Sequence, residues 1–263
     1  DTFAVRGENL PNHRTRALLK VQDGCSAFCT FCIIPYVRGK MTSRPMDEIV
    51  SETEEFAREG FQEVVLTGIH LGSYGKDIKR SATLPDIIQN IHSIDGIRRI
   101  RIGSLEPMDF APSIVDELAE FPKLMPHFHL PIQAGANNTL QRMHRRYSTE
   151  EYEALLNRIR ERFTDAAITT DVMVGFPGET DEDFADSLHF CEKMQYTQMH
   201  VFRYSPRDGT PAANYPNQIP GDVAAARSQA MIAVGMKTGR TFRESMIGRR
   251  TNVLVERTTD ENG

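Results

Sequence analysis

The chain has 263 residues, a formal net charge of −5 and a quarter of its residues charged, which suits one large domain of barrel size or two ordinary ones. No apolar run approaches the roughly 20 residues needed to cross a bilayer and no secretory signal opens the sequence, so no membrane partner is expected. The acidic balance excludes a chain that grips nucleic acid by bulk charge, leaving any RNA contact to local patches or to segments outside this chain.

Residues 1–13 are polar and irregular and read as a leader or linker. The chain starts at Asp1 without an initiator Met and reads as a piece of a longer protein. Arg16 to Gln22 is a short apolar run, predicted as a buried strand. It delivers the chain into Asp23-Gly24-Cys25-Ser26-Ala27-Phe28-Cys29-Thr30-Phe31-Cys32, where three of the four cysteines sit within eight residues. Thiolates this close repel one another unless a soft cation holds them, so the spacing points to metal or iron–sulfur ligation. A structural zinc site would pair C-x-x-C with a second such pair or with two histidines, and neither follows. Three thiolates cannot fill the four iron sites of a [4Fe-4S] cube; one iron is left open. Clustered cysteines also indicate a reducing, cytoplasmic setting rather than disulfides.

Strand and helix signals then alternate. Ile49, Val50, Thr53, Phe56 and Ala57 form a helical stripe stopped by Gly60, and Glu63 to Gly68 is a strand. Leu84, Ile87, Ile88, Ile91 and Ile94 make a second helix face, followed by a strand from Arg98 to Ile102. A helix at Pro112 to Glu120 precedes a strand at His127 to Leu130. Ser148-x-x-Glu151 is a capping box opening a helix with the stripe Tyr152, Leu155, Leu156, Ile159 and Phe163. Ile168 to Val174 is a strand, Thr180-x-x-Asp183 starts another helix, and Gln198 to Tyr204 is the sixth strand. A long helix from about Asp222 to Met246 precedes a strand-like run, Thr251 to Glu256. Six strands alternating with helices predict an α/β fold with a parallel sheet and right-handed crossovers. Six units are too few for an eight-fold barrel, so an open (β/α)6 partial barrel is expected, with its chemistry at the C-terminal strand ends.

The strand-end loops carry the remaining signals. Thr67-Gly68-Ile69-His70-Leu71-Gly72-Ser73-Tyr74-Gly75 has glycines that permit close backbone approach. Ser104-Leu105-Glu106-Pro107 sets a carboxylate at a strand mouth, suited to a cationic ligand group or ribose hydroxyls. Asp171-Val172-Met173-Val174-Gly175-Phe176-Pro177-Gly178 puts glycines before a helix start, offering backbone amides to a polar ligand without matching a phosphate-loop pattern. Arg142 to Tyr147 is a basic knot that reads first as a solvated face, and Arg203 and Arg207 read as rim residues or phosphate contacts. His70, His127, His129 and His200 show no ligand spacing and read as polar loop or core histidines. Cys191 lies on an apolar helix stripe and reads as a buried thiol.

The spacing C-x-x-x-C-x-aromatic-C, with Phe31 as the aromatic, resembles the signature of the radical S-adenosylmethionine (SAM) superfamily. The resemblance implies a partial barrel of the radical SAM type with Cys25, Cys29 and Cys32 holding a [4Fe-4S] cluster. SAM would chelate the open iron and be cleaved to a 5′-deoxyadenosyl radical. It further implies that Thr67 and Gly68 meet the SAM amino group, that Arg145 lies near the SAM carboxylate, and that the loop with Asp171 and Gly175 flanks adenine and ribose. With Phe31, Ser104, Glu106 and Gln133 these form the expected cofactor pocket; no catalytic residue is singled out. His129-Leu130-Pro131-Ile132-Gln133-Ala134-Gly135 is similar to the H-x-P-x-Q-S-G segment of methylthiotransferases, with Ala134 replacing the usual Ser.

Asp23 to Cys32, Pro35-Tyr36-Val37-Arg38-Gly39 and Ser43-Arg44-Pro45 extend the likeness to methylthiotransferases over about Arg16 to Glu256. Leu66 to Asp77 and His200 to Arg207 resemble the branch acting on N6-threonylcarbamoyladenosine at tRNA position 37. The resemblance implies tRNA, through its anticodon loop, as partner, with an electron donor and a sulfur donor of unknown identity, and a monomer. A first SAM would start radical chemistry at adenine C2, a second would give the methyl group, and sulfur would pass through an auxiliary [4Fe-4S] cluster. That second cluster belongs to an N-terminal domain not found here, so the chain alone is expected to cleave SAM without completing methylthiolation. Residues 14–247 are then the radical SAM core and 248–263 the start of a truncated TRAM domain. Two other readings stay open: the isopentenyladenosine-tRNA or ribosomal-protein branch, and a zinc-binding RNA-interaction module.

Overall fold

The computed structural model describes residues 15–78 and 82–255; the expected leader lies outside them. In chain order the strands and α-helices are β1 (Arg16–Lys20), β2 (Gln22–Asp23), α1 (Ile34–Val37), β3 (Thr42–Ser43), α2 (Met46–Arg58), β4 (Glu63–Thr67), α3 (Leu84–His92), β5 (Arg99–Ile102), α4 (Pro112–Leu118), β6 (His127–His129), α5 (Asn137–Arg142), α6 (Thr149–Arg162), β7 (Ala167–Val174), α7 (Asp181–Met194), β8 (Gln198–Arg203) and α8 (Gly221–Ser245). No helix among the described residues is long and apolar enough to cross a membrane.

Two parallel three-stranded sheets, β1-β4-β5 and β6-β7-β8, make up the parallel framework. They join through the parallel bridges Ile100–Leu124 and Ser104–His129, with Leu105 N–H donating to His129 O at 2.9 Å. Among the described residues β8 does not pair with β1. Six strands therefore run in order and stay open at one seam, the predicted (β/α)6 partial barrel.

Side-chain alternation separates the two faces of this curved sheet. Ala17, Leu19, Val64, Leu66, Ile100, Ile102, Phe128, Ile168 and Val172 are buried in the core shared with the helices. Their alternating neighbours meet on the concave side, where Glu63 contacts Arg16, Arg99 and Arg101 across three strands. His127 joins this lining; burial and the nearby Arg101 hold its pKa down at about 4.

The helices begin where the sequence signals them. Ser148 and Thr180 both form complete capping boxes, with Glu151 and Asp183. A third, Thr83 with Asp86, opens α3. Over its described part the strand expected at Thr251 to Glu256 is not formed: residues 251–255 are irregular, and the Asn252 carbonyl accepts from Arg99 Nη1 at 3.2 Å. A lone β-prone run gains its ladder hydrogen bonds only from a neighbouring strand, and none lies beside it among the described residues.

Candidate functional site

The cysteine loop leaves β1 and is closed at its neck by the antiparallel pairing of β2 with β3. Gly24 has φ +69°, and a Cβ there would sit 2.1 Å from Lys40 O, so only glycine fits this neck. Asp23 gathers Lys20 Nζ and Arg38 Nη2, each at 2.6 Å, and accepts from Gly24 N–H at 2.7 Å. Burial would raise its carboxyl pKa, but these donors hold it below the usual carboxylate range. Ser43 is tied to Asp77 through its N–H at 2.8 Å and its hydroxyl at 2.5 Å. Arg38, Gly39 and Ser43, which carried the family resemblance, thus clasp the loop and its neighbour.

Inside this frame Cys29 is buried while Cys25 and Cys32 are half-buried. Burial pushes the Cys29 and Cys32 thiols up, with Arg145 pulling Cys29 back. Arg145 Nη1 donates to Cys29 Sγ at 3.2 Å, Nη2 to Glu106, and Nε to Tyr147 Oη at 3.1 Å. The arginine is buried; desolvation opposes its charge, but Tyr147, Glu106 and Cys29 outweigh it and hold it protonated. Three sequence-picked residues, Cys29, Glu106 and Arg145, therefore converge from the cysteine loop, the loop after β5 and the turn between α5 and α6. The basic knot is not simply a solvated face: Arg145 turns in, and Arg142 pairs with Asp183 at 2.7 Å.

Gln133 has φ +66° and is locked by backbone bonds to β7, N–H to Asp171 O at 3.0 Å and O from Met173 N–H at 2.7 Å. Its buried Oε1 has no partner among the described residues, a state that costs about 1–3 kcal/mol unless a ligand donates to it. Asp171 faces His129 Nε2 and His200 Nδ1, each at 3.4 Å; burial raises its pKa but the two imidazoles win and lower it. Ala134 is sunk in the core, with its N–H donating to Ile132 O at 2.9 Å. Ser104 is exposed at the bridge between the half-sheets.

Other expected contacts are already spent within the protein. Thr67 Oγ1 donates to Leu19 O at 3.3 Å, and Gly68 packs on Gln22 and Leu71. Gly175 N–H donates to Glu179 Oε1 at 3.0 Å, and Arg227 Nη1 binds the same oxygen at 2.7 Å. An internal carboxylate thus takes the backbone amide that was expected to meet a polar ligand. Gly175 instead lines a cavity of about 620 Å³ with Arg203, Tyr204, Ser205 and Ala224. Phe31 packs edge-on against Phe176 at 6.3 Å, joining the cysteine loop to that cavity's loop.

His70 reads from sequence as a polar loop or core histidine, and its partners are what spacing does not show. His70 is buried, with Nδ1 3.5 Å from Cys25 Sγ and Nε2 2.5 Å from Asp109 Oδ2. Burial lowers its pKa, but Asp109 and Cys25 outweigh it and raise it to about 9. His70 and Asp109 are 39 positions apart, so no local spacing signals them. Cys191, by contrast, is the buried thiol its helix stripe implied, pushed by burial to about 12.

The family model described as the Radical SAM superfamily matches residues 19–191. A tRNA-2-methylthio-N(6)-dimethylallyladenosine synthase of Pelotomaculum thermopropionicum is 42% identical, covering 95% of this chain and 56% of that protein. The threonylcarbamoyladenosine tRNA methylthiotransferase MtaB of Bacillus subtilis is 39% identical, over 87% of this chain and 51% of that protein. The chain thus spans about half the length of the curated relatives it matches. Among solved structures, the methyltransferase TsrM of Kitasatospora setae aligns with TM-score 0.62 at 18% identity, over 75% of this chain and 38% of that one. Coproporphyrinogen III oxidase of Escherichia coli aligns with TM-score 0.61 at 19% identity, over 86% and 54%; both likenesses concern the fold.

Proposed function

Because this chain belongs to the radical SAM superfamily, we propose that it is the radical-generating core of a tRNA methylthiotransferase, with N6-threonylcarbamoyladenosine at position 37 of the anticodon loop as substrate. Residues 14–247 form this core, and 248–263 begin an RNA-binding TRAM domain. Relatives named for dimethylallyladenosine and for threonylcarbamoyladenosine are about equally similar to the chain. The choice between the two substrates therefore rests on the loop from Leu66 to Asp77.

The residues present fit a [4Fe-4S] cluster and SAM. Three cysteines share one clasped loop, while among the described residues no three His, Cys, Asp or Glu side chains converge on a single ion. A structural zinc site would need a second C-x-x-C or a His pair, which the sequence lacks, and the buried Gln133 Oε1 lacks a donor among the described residues. Cys25, Cys29 and Cys32 would hold the cluster, with Gln133, Glu106, Arg145 and Asp171 facing SAM. When bound, this pair supplies an electron and a carbon radical able to take hydrogen from an unactivated C–H bond.

The chain's own residues do the rest. Arg145 Nη2 holds the Glu106 side chain in place, so that carboxyl group is preset for a cationic group. Glu106 and Asp171 lie on opposite half-sheets, giving two acidic side chains that can anchor one ligand. Phe31 and Phe176 close an apolar wall that keeps water from a reactive radical. The single observation that carries the proposal is the convergence of Cys29, Arg145 and Glu106 on one buried hydrogen-bonded chain. Anaerobic reconstitution with iron and sulfide, followed by chemical reduction with dithionite, should give a SAM-sensitive EPR signal and, with SAM added, 5′-deoxyadenosine. A colourless, zinc-loaded protein without SAM cleavage overturns the reading. The substrate is tested by mass spectrometry of tRNA nucleosides from cells lacking the full-length gene, where the 2-methylthio derivative of threonylcarbamoyladenosine should vanish and that of isopentenyladenosine should remain.

A further inference from the structure

Each cysteine sulfur of the triad has a different polar neighbour. Cys29 receives Arg145 Nη1 and Cys32 a backbone contact from Ile34. Cys25 receives Ala27 N–H at 3.4 Å and faces His70 Nδ1 at 3.5 Å. His70 is only 4% exposed and is fixed from three sides. Its N–H donates to the buried Gln22 Oε1 at 2.7 Å, and its carbonyl accepts the Ser73 hydroxyl at 2.9 Å. Its Nε2 lies 2.5 Å from Asp109 Oδ2, off the line of an ideal hydrogen bond, and Asp109 is in turn paired with Lys76. A buried imidazole held this firmly against one sulfur is not a solvated loop histidine.

We propose that His70 is a positioning residue for the cluster: its Nδ1–H hydrogen-bonds the Cys25 sulfur, Asp109 fixes the ring, and the pair sets the cluster's reduction potential. This rests on the cluster reading above. A donor aimed at a cluster thiolate withdraws charge from the sulfur and favours the reduced state, so it raises the potential. The loop from Leu66 to Asp77, which by resemblance names the substrate, thereby also governs how readily the radical chemistry is primed.

The test is EPR-monitored redox titration of the anaerobically reconstituted chain, with iron and sulfide content and a thermal melt recorded for every variant. His70→Ala is expected to keep full iron and sulfide and to lower the potential by about a tenfold shift in the one-electron equilibrium, about 59 mV. His70→Gln, which retains an N–H donor, should recover part of that shift. Asp109→Asn should lower the potential by less than His70→Ala. Unchanged potentials in both His70 variants with a full wild-type cluster overturn this inference and leave the cluster reading standing. Loss of iron in His70→Ala with an unaltered melt overturns it too, since His70 would then be a ligand. A wild-type chain that takes up no iron overturns both.

Discussion

The two half-sheets present opposite kinds of mouth. The loops after β1, β4 and β5 are bonded to one another: Asp23 to Arg38, Ser43 to Asp77, His70 to Gln22, Lys76 to Asp109. Strand β7 and the loops after β6, β7 and β8 keep a Gln133 Oε1 without a partner among the described residues, an Asp171 with two long histidine contacts, and an open cavity beside Gly175. The difference follows from what each half would hold. An inorganic cluster bound through three thiolates needs a loop whose shape is fixed in advance, because each misplaced ligand is a lost bond. An organic cofactor is bound through hydrogen bonds, so its half must leave polar atoms unspent.

The largest expected effect breaks the prebuilt half. Cys29→Ala should abolish cluster binding and SAM cleavage altogether, read by iron and sulfide content and by 5′-deoxyadenosine, while a mutation confined to the other half leaves iron content intact. Next is the buried pair at the base of the Gly175 loop. Arg227→Met strands Glu179 in the interior, and breaking such a pair costs about 3–5 kcal/mol, read by denaturant unfolding. If Gly175 N–H were instead reserved for a ligand anion, the loss would appear in SAM affinity with stability unchanged.

The third prediction concerns the junction of the halves. His127 has a folded pKa near 4 against an ordinary 6.5, so the unfolded chain binds the extra proton between those values. Stability should therefore fall as pH drops from 6.5 to 4, by about 3 kcal/mol from this residue, and His127→Gln should flatten that part of the profile. The smallest effect sharpens the open half. Gln133→Met removes an unpaired buried acceptor, so stability should hold or rise slightly while SAM binding weakens about fivefold, about 1 kcal/mol, read by calorimetry on the reconstituted protein.

The prebuilt half was also the more legible one, but only in part. Cysteine spacing is local, so Cys25, Cys29 and Cys32 could be read directly, and periodicity placed the six long strands and the main helices. Arg145 could be singled out from its neighbours in the basic knot only by resemblance. What spacing cannot express is a partner far along the chain: His70 with Asp109, or Gly175 N–H already given to a carboxylate four residues on that Arg227 secures. The two-residue pairing of β2 with β3 and the short helices α1 and α5 carry too few residues to leave a period. Thr251 onward has β-forming residues without a partner strand beside them, and tertiary context decides such runs.

The seam between β1 and β8 has a consequence of its own. A closed ring of strands admits only what can enter end-on, so a long chain would have to be threaded into it. A trough open along one flank accepts a single unit of a polymer sideways while both flanking units stay outside. Among the described residues β1 and β8 do not pair with each other, which leaves such a flank between them, and a residue in the middle of a loop can be laid in and lifted out without a free end.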